Sequence, residues 1–353
     1  MRVLHLLDNL FIYSGITRHV LILSKYDSNG SYVCSIKDDG AVKLFHEYGI
    51  KIISNKMLKN PVYTVFFLIK FCKRNKIDIV HTHHRYFDFV MRLVNAFYKQ
   101  KTICTVHSIV YGKKQISYHA DLLIAVSGSV KNHLTNYFHI PEKKITIVNN
   151  CLDKSLLKTS FTKEEIINKH GFSKVSFKLG FFGKLSMEEK GINILLEAVK
   201  KIQYSLSIDY ELIILGNGKD EGYIKEFINK NNLRATLLDS KINPSDYYQI
   251  LDCYVLPSNV DPFPYAMLES AYFKVPFIGS NVDGISEYIE NNINGLLFDK
   301  GNVNELVKKI MFVHNDPTAA KKIAQTNYIK VTSKFVFNSE NQIYNVYKKI
   351  LSE

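Results

Sequence analysis

LPSNVDPFPYAMLE, running from Leu256 to Glu269, reads as the end of a buried strand, a proline-punctuated loop and the first two turns of a helix. The run Cys253 to Leu256 is short, apolar and of strand type. Prolines 257, 262 and 264 then interrupt any ladder or helix. The helix is expected to open near Pro264, because the N–H that proline lacks is one that a helix start leaves unpaired anyway. Glu269 then falls in the first two turns, its side chain leaning back toward the helix N-terminus, on the side of Asp261 in the loop. Two carboxylates and a helix terminus converge on one spot. Such a spot suits a sugar nucleotide: carboxylates accept hydrogen bonds from ribose and hexose hydroxyls, and free backbone N–H groups receive phosphate. The alternative is structural, with Asp261 a turn residue and Glu269 on a solvated helix face.

This strand, loop and helix belong to a series. In the first half of the chain, strand-like runs at Val3 to Leu7, Tyr32 to Ile36, Ile77 to Val80, Thr102 to Val106, Leu122 to Val126 and Ile145 to Val148 alternate with helical patterns. That alternation reads as βαβ units around a parallel sheet. The rhythm lapses from about Cys151 to Lys178, where Thr162 and Glu165 form the capping box of a short helix stopping at Gly171. A second series follows at Phe177 to Phe182, Glu211 to Leu215, Ala235 to Leu238, Cys253 to Leu256 and Val275 to Ile278, and only helical patterning runs from Asn304 onward. The expected fold is α/β, with two Rossmann-like, doubly wound parallel-sheet domains facing a cleft. Residues 1–160 form an N-terminal Rossmann-like domain, 161–335 a C-terminal Rossmann-like domain, and 336–353 a C-terminal helix that packs back on the first domain. Ligands of such sheets bind beyond the carboxyl ends of the strands, in the strand-to-helix loops.

Those loops hold the other candidates. Gly183 and Lys184 follow one strand, and Lys190 and Gly191 precede the next helix, so two ammonium groups can grip a diphosphate and offset the charge that grows on it as a leaving group. Two surface lysines of a lysine-rich chain are the plainer explanation. Gly15 opens the helix after the first strand, where the dipole and unpaired N–H groups favour an anion, although without a GxGxxG pattern it reads equally as a turn glycine. His81, His83 and His84 invite a metal reading, but carboxylate partners are lacking in sequence and no metal is expected.

Composition sets the outer limits. The 353 residues are 46% hydrophobic and 22% charged, which suits two folded domains and excludes extended disorder. No stretch approaches the roughly 20 apolar residues of a membrane span, and the N-terminus lacks a signal-peptide layout, so a cytoplasmic protein is expected. Cys34, Cys72, Cys104, Cys151 and Cys253 are scattered and odd in number, which argues for reduced thiols. The net charge of +13 calls for a polyanionic partner or reflects lysine decoration of a solvated surface. Aromatic residues are spread along the chain rather than interleaved with lysines on one face, so nucleic acid is not an expected partner. Lys59 to Lys76, with Val62, Val65, Phe66, Ile69 and Phe71 between basic flanks, fits either an anionic membrane surface or a buried Rossmann helix with basic ends.

The segment at 256–269 resembles the E-x7-E signature of GT-B glycosyltransferases of the family-4 group, whose members read EGFP or DPFP before an apolar stretch ending in LEA. Asp261 stands where most members carry the first glutamate. The blocks at Val275 to Ser280, Asp283 to Glu287 and Asn294 to Phe298 are similar to the family's PVI, GGIPE and NGLLF blocks, in the same order. Upstream, Phe182 to Leu185 with Lys190 and Gly191 resembles the GRL and KG pair, with Lys184 replacing an arginine, so the charge is kept but the bidentate fork is lost. Ile147 to Asp153 is similar to VIPNGVD, Ala120 to Ser127 to the family's strand leading to a serine, and Thr105 to His107 to a block whose histidine faces the donor sugar.

The resemblance covers nearly the whole chain and implies a retaining transferase. It would take a UDP-, GDP- or ADP-sugar without metal or other cofactor and act on a glycan or lipid-linked acceptor, in the cytoplasm or at the inner face of the membrane. It implies that Lys184 and Lys190 hold the diphosphate, that His107 hydrogen-bonds the sugar rather than acting as a base, and that Glu269 holds the ribose. Asp261 and the backbone of Phe263, Pro264, Tyr265 and Ala266 would position the sugar, with Gly15 and Gly183 allowing close approach. A sugar-nucleotide epimerase of the same fold is the alternative enzyme and would isomerise its donor without transfer. A non-catalytic, basic nucleic-acid or lipid binding protein on the same shell is the alternative outside catalysis.

Overall fold

The apolar runs fold as the strands of two parallel sheets. The computed structural model describes residues 1–12, 14–26, 30–205, 208–338 and 342–352. It separates into two units, one of Met1–Asn150 with Phe337–Glu353, the other of Cys151–Val336. The first holds β1 (Val3–Phe11), β2 (Tyr32–Asp39), β3 (Lys51–Ser54), β4 (Ile79–Thr82), β5 (Lys101–Val106), β6 (Leu122–Ala125) and β7 (Ile145–Ile147), in the spatial order β3-β2-β1-β4-β5-β6-β7. The second holds β8 (Phe177–Phe182), β9 (Tyr210–Leu215), β10 (Ala235–Leu238), β11 (Cys253–Leu256), β12 (Phe277–Ser280) and β13 (Leu296–Phe298), in the order β10-β9-β8-β11-β12-β13.

Every pairing in both sheets is parallel, so all carboxyl ends of a sheet lie on one edge. The strand order reverses between β1 and β4 in the first sheet and between β8 and β11 in the second. These reversals are the crevices in which doubly wound sheets bind ligands. The sequence rhythm misses β3 and β13, edge strands of four and three residues.

Helices cover the sheets on both faces, which is why β4, β6 and β11 are buried along their whole length. In the first unit Leu4, Leu6 and Val80 of the sheet join Val65, Leu68 and Cys72 of helix Pro61–Asn75 and Phe87, Val90, Met91 and Val94 of helix Arg85–Phe97 in one core. Each large side chain buried there contributes about 1.5–3 kcal/mol. Helix Pro61–Asn75 starts where Asn60 accepts from the N–H groups of Val62 and Tyr63, with proline in its first position. Its buried stripe runs through Thr64, Val65, Leu68 and Cys72. Of the apolar residues that fit either a membrane surface or a buried helix, Val65 lies in the core, and Val62 and Phe66 stand in solvent, 66% and 71% exposed.

The capping box forms, with Glu165 N–H on the Thr162 hydroxyl and Thr162 N–H on the Glu165 carboxylate, and Gly171 closes helix Lys163–His170 in the left-handed conformation. Helix Gln342–Ser352 belongs to the first unit, burying Ile343, Val346, Tyr347 and Ile350. Among the described residues no disulfide forms, and all of the five cysteines but Cys151 are buried. Among the described residues, no helix is long and apolar enough to cross a membrane.

Candidate functional site

The reversal in the second sheet gathers four loops. After β8, Gly183 N–H donates to the Leu215 carbonyl at 2.9 Å and Leu185 N–H to the Asn217 carbonyl at 2.8 Å, tying the β8 loop to the β9 loop. After β11, Asn259 N–H donates to the Glu189 carbonyl at 2.8 Å, and the Asn259 side-chain amide to the Met187 carbonyl at 2.9 Å. Gly191 ends the short helix Met187–Lys190 at φ +60°, with the Pro257 carbonyl only 2.1 Å from where a Cβ would stand. Any other residue there is excluded twice, by conformation and by contact.

Asp261 is the centre of this arrangement. Its carboxylate Oδ2 accepts the Lys190 ammonium at 2.5 Å and the Ser258 hydroxyl at 2.9 Å. Its backbone N–H donates to Asp283 Oδ2 at 2.9 Å, and its carbonyl accepts from Gly284 N–H at 3.1 Å, so the loop after β12 is joined as well. Gly284 has no room for a side chain, the Pro262 carbonyl lying 1.8 Å from the Cβ position. Asp283 holds a left-handed backbone, φ +39°, which a side chain disfavours and which the surrounding contacts impose. Burial pushes its carboxyl above the usual carboxylate range. Asp261 lies in the loop as a turn residue would, but it is 3% exposed and bonded through both backbone and side chain.

Glu269 is 4% exposed, in the second turn of helix Tyr265–Tyr272, which corrects the solvated-face alternative. Pro264 takes the position just before that helix. The ring of Phe263 stacks on Phe335 and meets Tyr288 edge-on, so the core holds its side chain. Tyr265 is buried and Ala266 half-buried. Lys184 and Lys190 do not share one partner. Lys190, half-buried, meets Asp261, whereas Lys184 reaches the exposed Glu189 at 2.6 Å. An exposed pair of that kind is weak, so Lys184 is readily drawn to a stronger anion.

In the first unit Gly15 opens helix Gly15–Lys25 behind Ser14, whose hydroxyl accepts from Thr17 N–H at 3.2 Å. His107 follows β5 and joins an assembly the sequence does not suggest. His5 Nδ1 lies 3.1 Å from His83 Nε2, and His83 Nδ1 lies 3.2 Å from His107 Nε2. His81 bridges the Tyr347 hydroxyl and Thr105 Oγ1, both at 2.7 Å, and the ring of His19 meets those of His83 and His107 edge-on. His84 stands apart, exposed near Asp8. Partners for His81 and His83 therefore come from β1, from helix Gly15–Lys25 and from the end of β5, which a reading of the HTHH run alone does not reach.

The family description "Glycosyltransferase Family 4" matches residues 13–156, and "Glycosyl transferases group 1" matches residues 162–330, between them most of the chain. The chain belongs to the GT-B glycosyltransferases of family-4 type. This glycosyltransferase is 25% identical to an uncharacterised glycosyltransferase of Methanocaldococcus jannaschii over 87% of its own length and 82% of the relative's. It is 23% identical to the UDP-Gal:alpha-D-GlcNAc-diphosphoundecaprenol alpha-1,3-galactosyltransferase of Escherichia coli, over 74% and 73% of the two chains. In fold it is similar to Anabaena HepE, solved in complex with UDP-glucose, at a TM-score of 0.85 and 18% identity, covering 100% of this chain and 98% of that one.

Sequence reasoning about the glycosyltransferase did not single out Ser258, Glu189 or Asp283 as site residues. Asp283 next to Gly284 is a turn dipeptide after a strand, a signal that could have placed its carboxylate at the strand's carboxyl end. Ser258 and Glu189 carry no such signal.

Burial is the main cause that lowers the basicity of the clustered imidazoles, to about 3 for His5 and about 4 for His19, with His81, His83 and His107 also well below the ordinary range. All are thus neutral near pH 7. The unfolded chain takes up protons near pH 6.5 and the folded one only well below it, so stability is fully present above pH 6.5 and declines as the pH falls. The slope is about 1.4 kcal/mol per pH unit for each such histidine. In metal-free buffer the thermal midpoint of the first unit is expected to hold steady from pH 8 to 7 and to drop steeply from pH 6.5 to 4.5. An unchanged midpoint at pH 5 would contradict a neutral buried cluster.

Proposed function

We propose that this glycosyltransferase is a retaining enzyme. It moves a sugar from a nucleoside diphosphate to a hydroxyl of a glycan or lipid-linked acceptor, in surface polysaccharide or glycolipid synthesis. The observation that carries this reading is the Lys190–Asp261 pair at the reversal of the second sheet, in the loop that leads into helix Tyr265–Tyr272 with its buried Glu269. An ammonium group has three donors, and Asp261 takes one, which leaves two for phosphate oxygens. Asp261 fixes the ammonium in advance, so little reorganisation is needed as charge develops on the leaving group. The Asp261 oxygen Oδ1 accepts from none of the described residues and is left for a hydroxyl of the sugar. Glu269 takes the ribose hydroxyls, and the backbone from Phe263 to Ala266 lines the sugar.

As the anomeric C–O bond breaks, its electron pair goes to the diphosphate, held by Lys190 and by Lys184 drawn from Glu189. The acceptor hydroxyl attacks from the face the diphosphate leaves, and its proton passes to a phosphate oxygen. No protein nucleophile is required. His107, kept neutral by burial, serves as a hydrogen-bond partner for the sugar and not as a charged acid. The UDP-glucose bound by HepE and the UDP-galactose in the name of the Escherichia coli relative favour a UDP-sugar over GDP- and ADP-sugars. The diphosphoundecaprenol in that same name favours a lipid-linked acceptor.

Calorimetry with UDP-, GDP- and ADP-sugars is expected to give saturable binding for the UDP class alone, lost in Glu269→Ala. Binding equal in wild type and variant would remove Glu269 from the site. With an acceptor in hand, Lys190→Ala should lower kcat about 10²- to 10³-fold, about 2.7–4 kcal/mol of transition-state stabilisation. NMR of the first-formed product should show the anomeric configuration of the donor, and an inverted product would end the retaining assignment.

A lipid-linked acceptor would bring the enzyme to an anionic membrane, and the exposed Val62 and Phe66 beside the exposed Lys59 and Lys70 provide a surface for it. The protein should float with vesicles containing anionic lipid and not with neutral ones. Flotation of Phe66→Asp as complete as that of wild type would reject this surface.

A further inference from the structure

We propose that His19, His83 and His107 form a binding site for a divalent transition cation of the zinc class, with three imidazole ligands and one open coordination position. One nitrogen from each ring lies within 4.8 Å of the other two. A tetrahedral ion bound at about 2.1 Å holds its ligand nitrogens about 3.4 Å apart and its imidazole ring centres about 5 Å apart. Here His83 Nδ1 and His107 Nε2 are 3.2 Å apart, and the ring centres lie 4.8, 5.5 and 5.6 Å from one another. Small movements of the side chains therefore suffice to close the three nitrogens around an ion.

The surrounding contacts match what such a site needs. A ligating histidine is oriented by a partner on its other ring nitrogen. His83 Nε2 faces His5 Nδ1 at 3.1 Å, so a proton on that Nε2 donates to His5 and leaves Nδ1 with its lone pair toward His107. The ring of His19 meets those of His83 and His107 edge-on. His107 carries its proton on Nδ1 once Nε2 is a ligand. The three rings then bind as neutral imidazoles, and none has to lose a proton to solvent. His107 is partly exposed while His19 and His83 are buried, which provides a way in for the ion. A second group, His5, His81 and His83, is less suited, because both nitrogens of His81 are already engaged at 2.7 Å and all three rings are buried. Neutral nitrogen ligands without carboxylates favour zinc, cobalt, nickel or copper over magnesium or calcium.

This site shares His107 with the proposed sugar contact, so it is tested by metal binding alone, without donor or acceptor. Tag-free protein is stripped with chelator and titrated with cobalt(II) alone, followed in the visible, then competed with zinc(II). The expected result is one equivalent of cobalt with the intense bands of a four-coordinate ion, displaced by zinc, bound at least tenfold more weakly by His19→Gln and by His83→Gln and unchanged in His84→Gln. Far-UV circular dichroism reports whether the variants fold. Should the buried His83 variant fail to do so, His19→Gln decides. Absence of four-coordinate bands in the wild type, or undiminished bands in folded His19→Gln, overturns the proposal.

Discussion

The second unit depends on how Asp261 is held. A single residue there ties together the loops after β8, β11 and β12 through four hydrogen bonds, two from its backbone and two to one carboxylate oxygen. A buried carboxylate is costly unless it is paired and hydrogen-bonded, and Lys190 and Ser258 meet that requirement. The same contacts fix the position of an ammonium group at the edge of the sheet. Structural necessity and the placing of a cation are thus one arrangement, and the glycines at 191 and 284 are required because the backbones it draws together leave no space for a Cβ.

The first unit meets the same problem differently. At its own strand reversal it gathers polar side chains without a charged pair: His5, His83 and His107 form a chain of imidazoles, His81 meets a threonine and a tyrosine, and the ring of His19 packs edge-on against two of the others. Neutral imidazole can both donate and accept, so such a cluster can be buried near neutral pH at modest cost. The cost reappears when protons become plentiful.

The architecture was legible because long apolar runs alternating with helical patterns leave few topologies open, and β8 and β11 fall where the runs at Phe177 to Phe182 and Cys253 to Leu256 place them. Two edge strands, β3 and β13, were not legible, although the equally short edge strands β7 and β10 were. At the site, the approach of Lys190 to Asp261 was half legible: each residue was marked by its loop, but their pairing across 71 positions is a tertiary fact. The division of labour between the lysines was hidden, because Glu189 reads as a helix-start acid and nothing local says that Lys184 will meet it. The histidine assembly was hidden for the same reason, its members lying on β1, β4, a helix and the end of β5.

The path of the chain has a consequence for how the protein can be divided. The second unit is inserted between Asn150 and Phe337, and its own ends are stitched together, Leu152 N–H donating to the Phe335 carbonyl at 2.7 Å. The first unit is closed by helix Gln342–Ser352, whose Tyr347 hydroxyl meets His81. Without that helix the histidine cluster has one side without its partner. A chain cut after residue 336 thus keeps every residue of the second unit and leaves the first one incomplete.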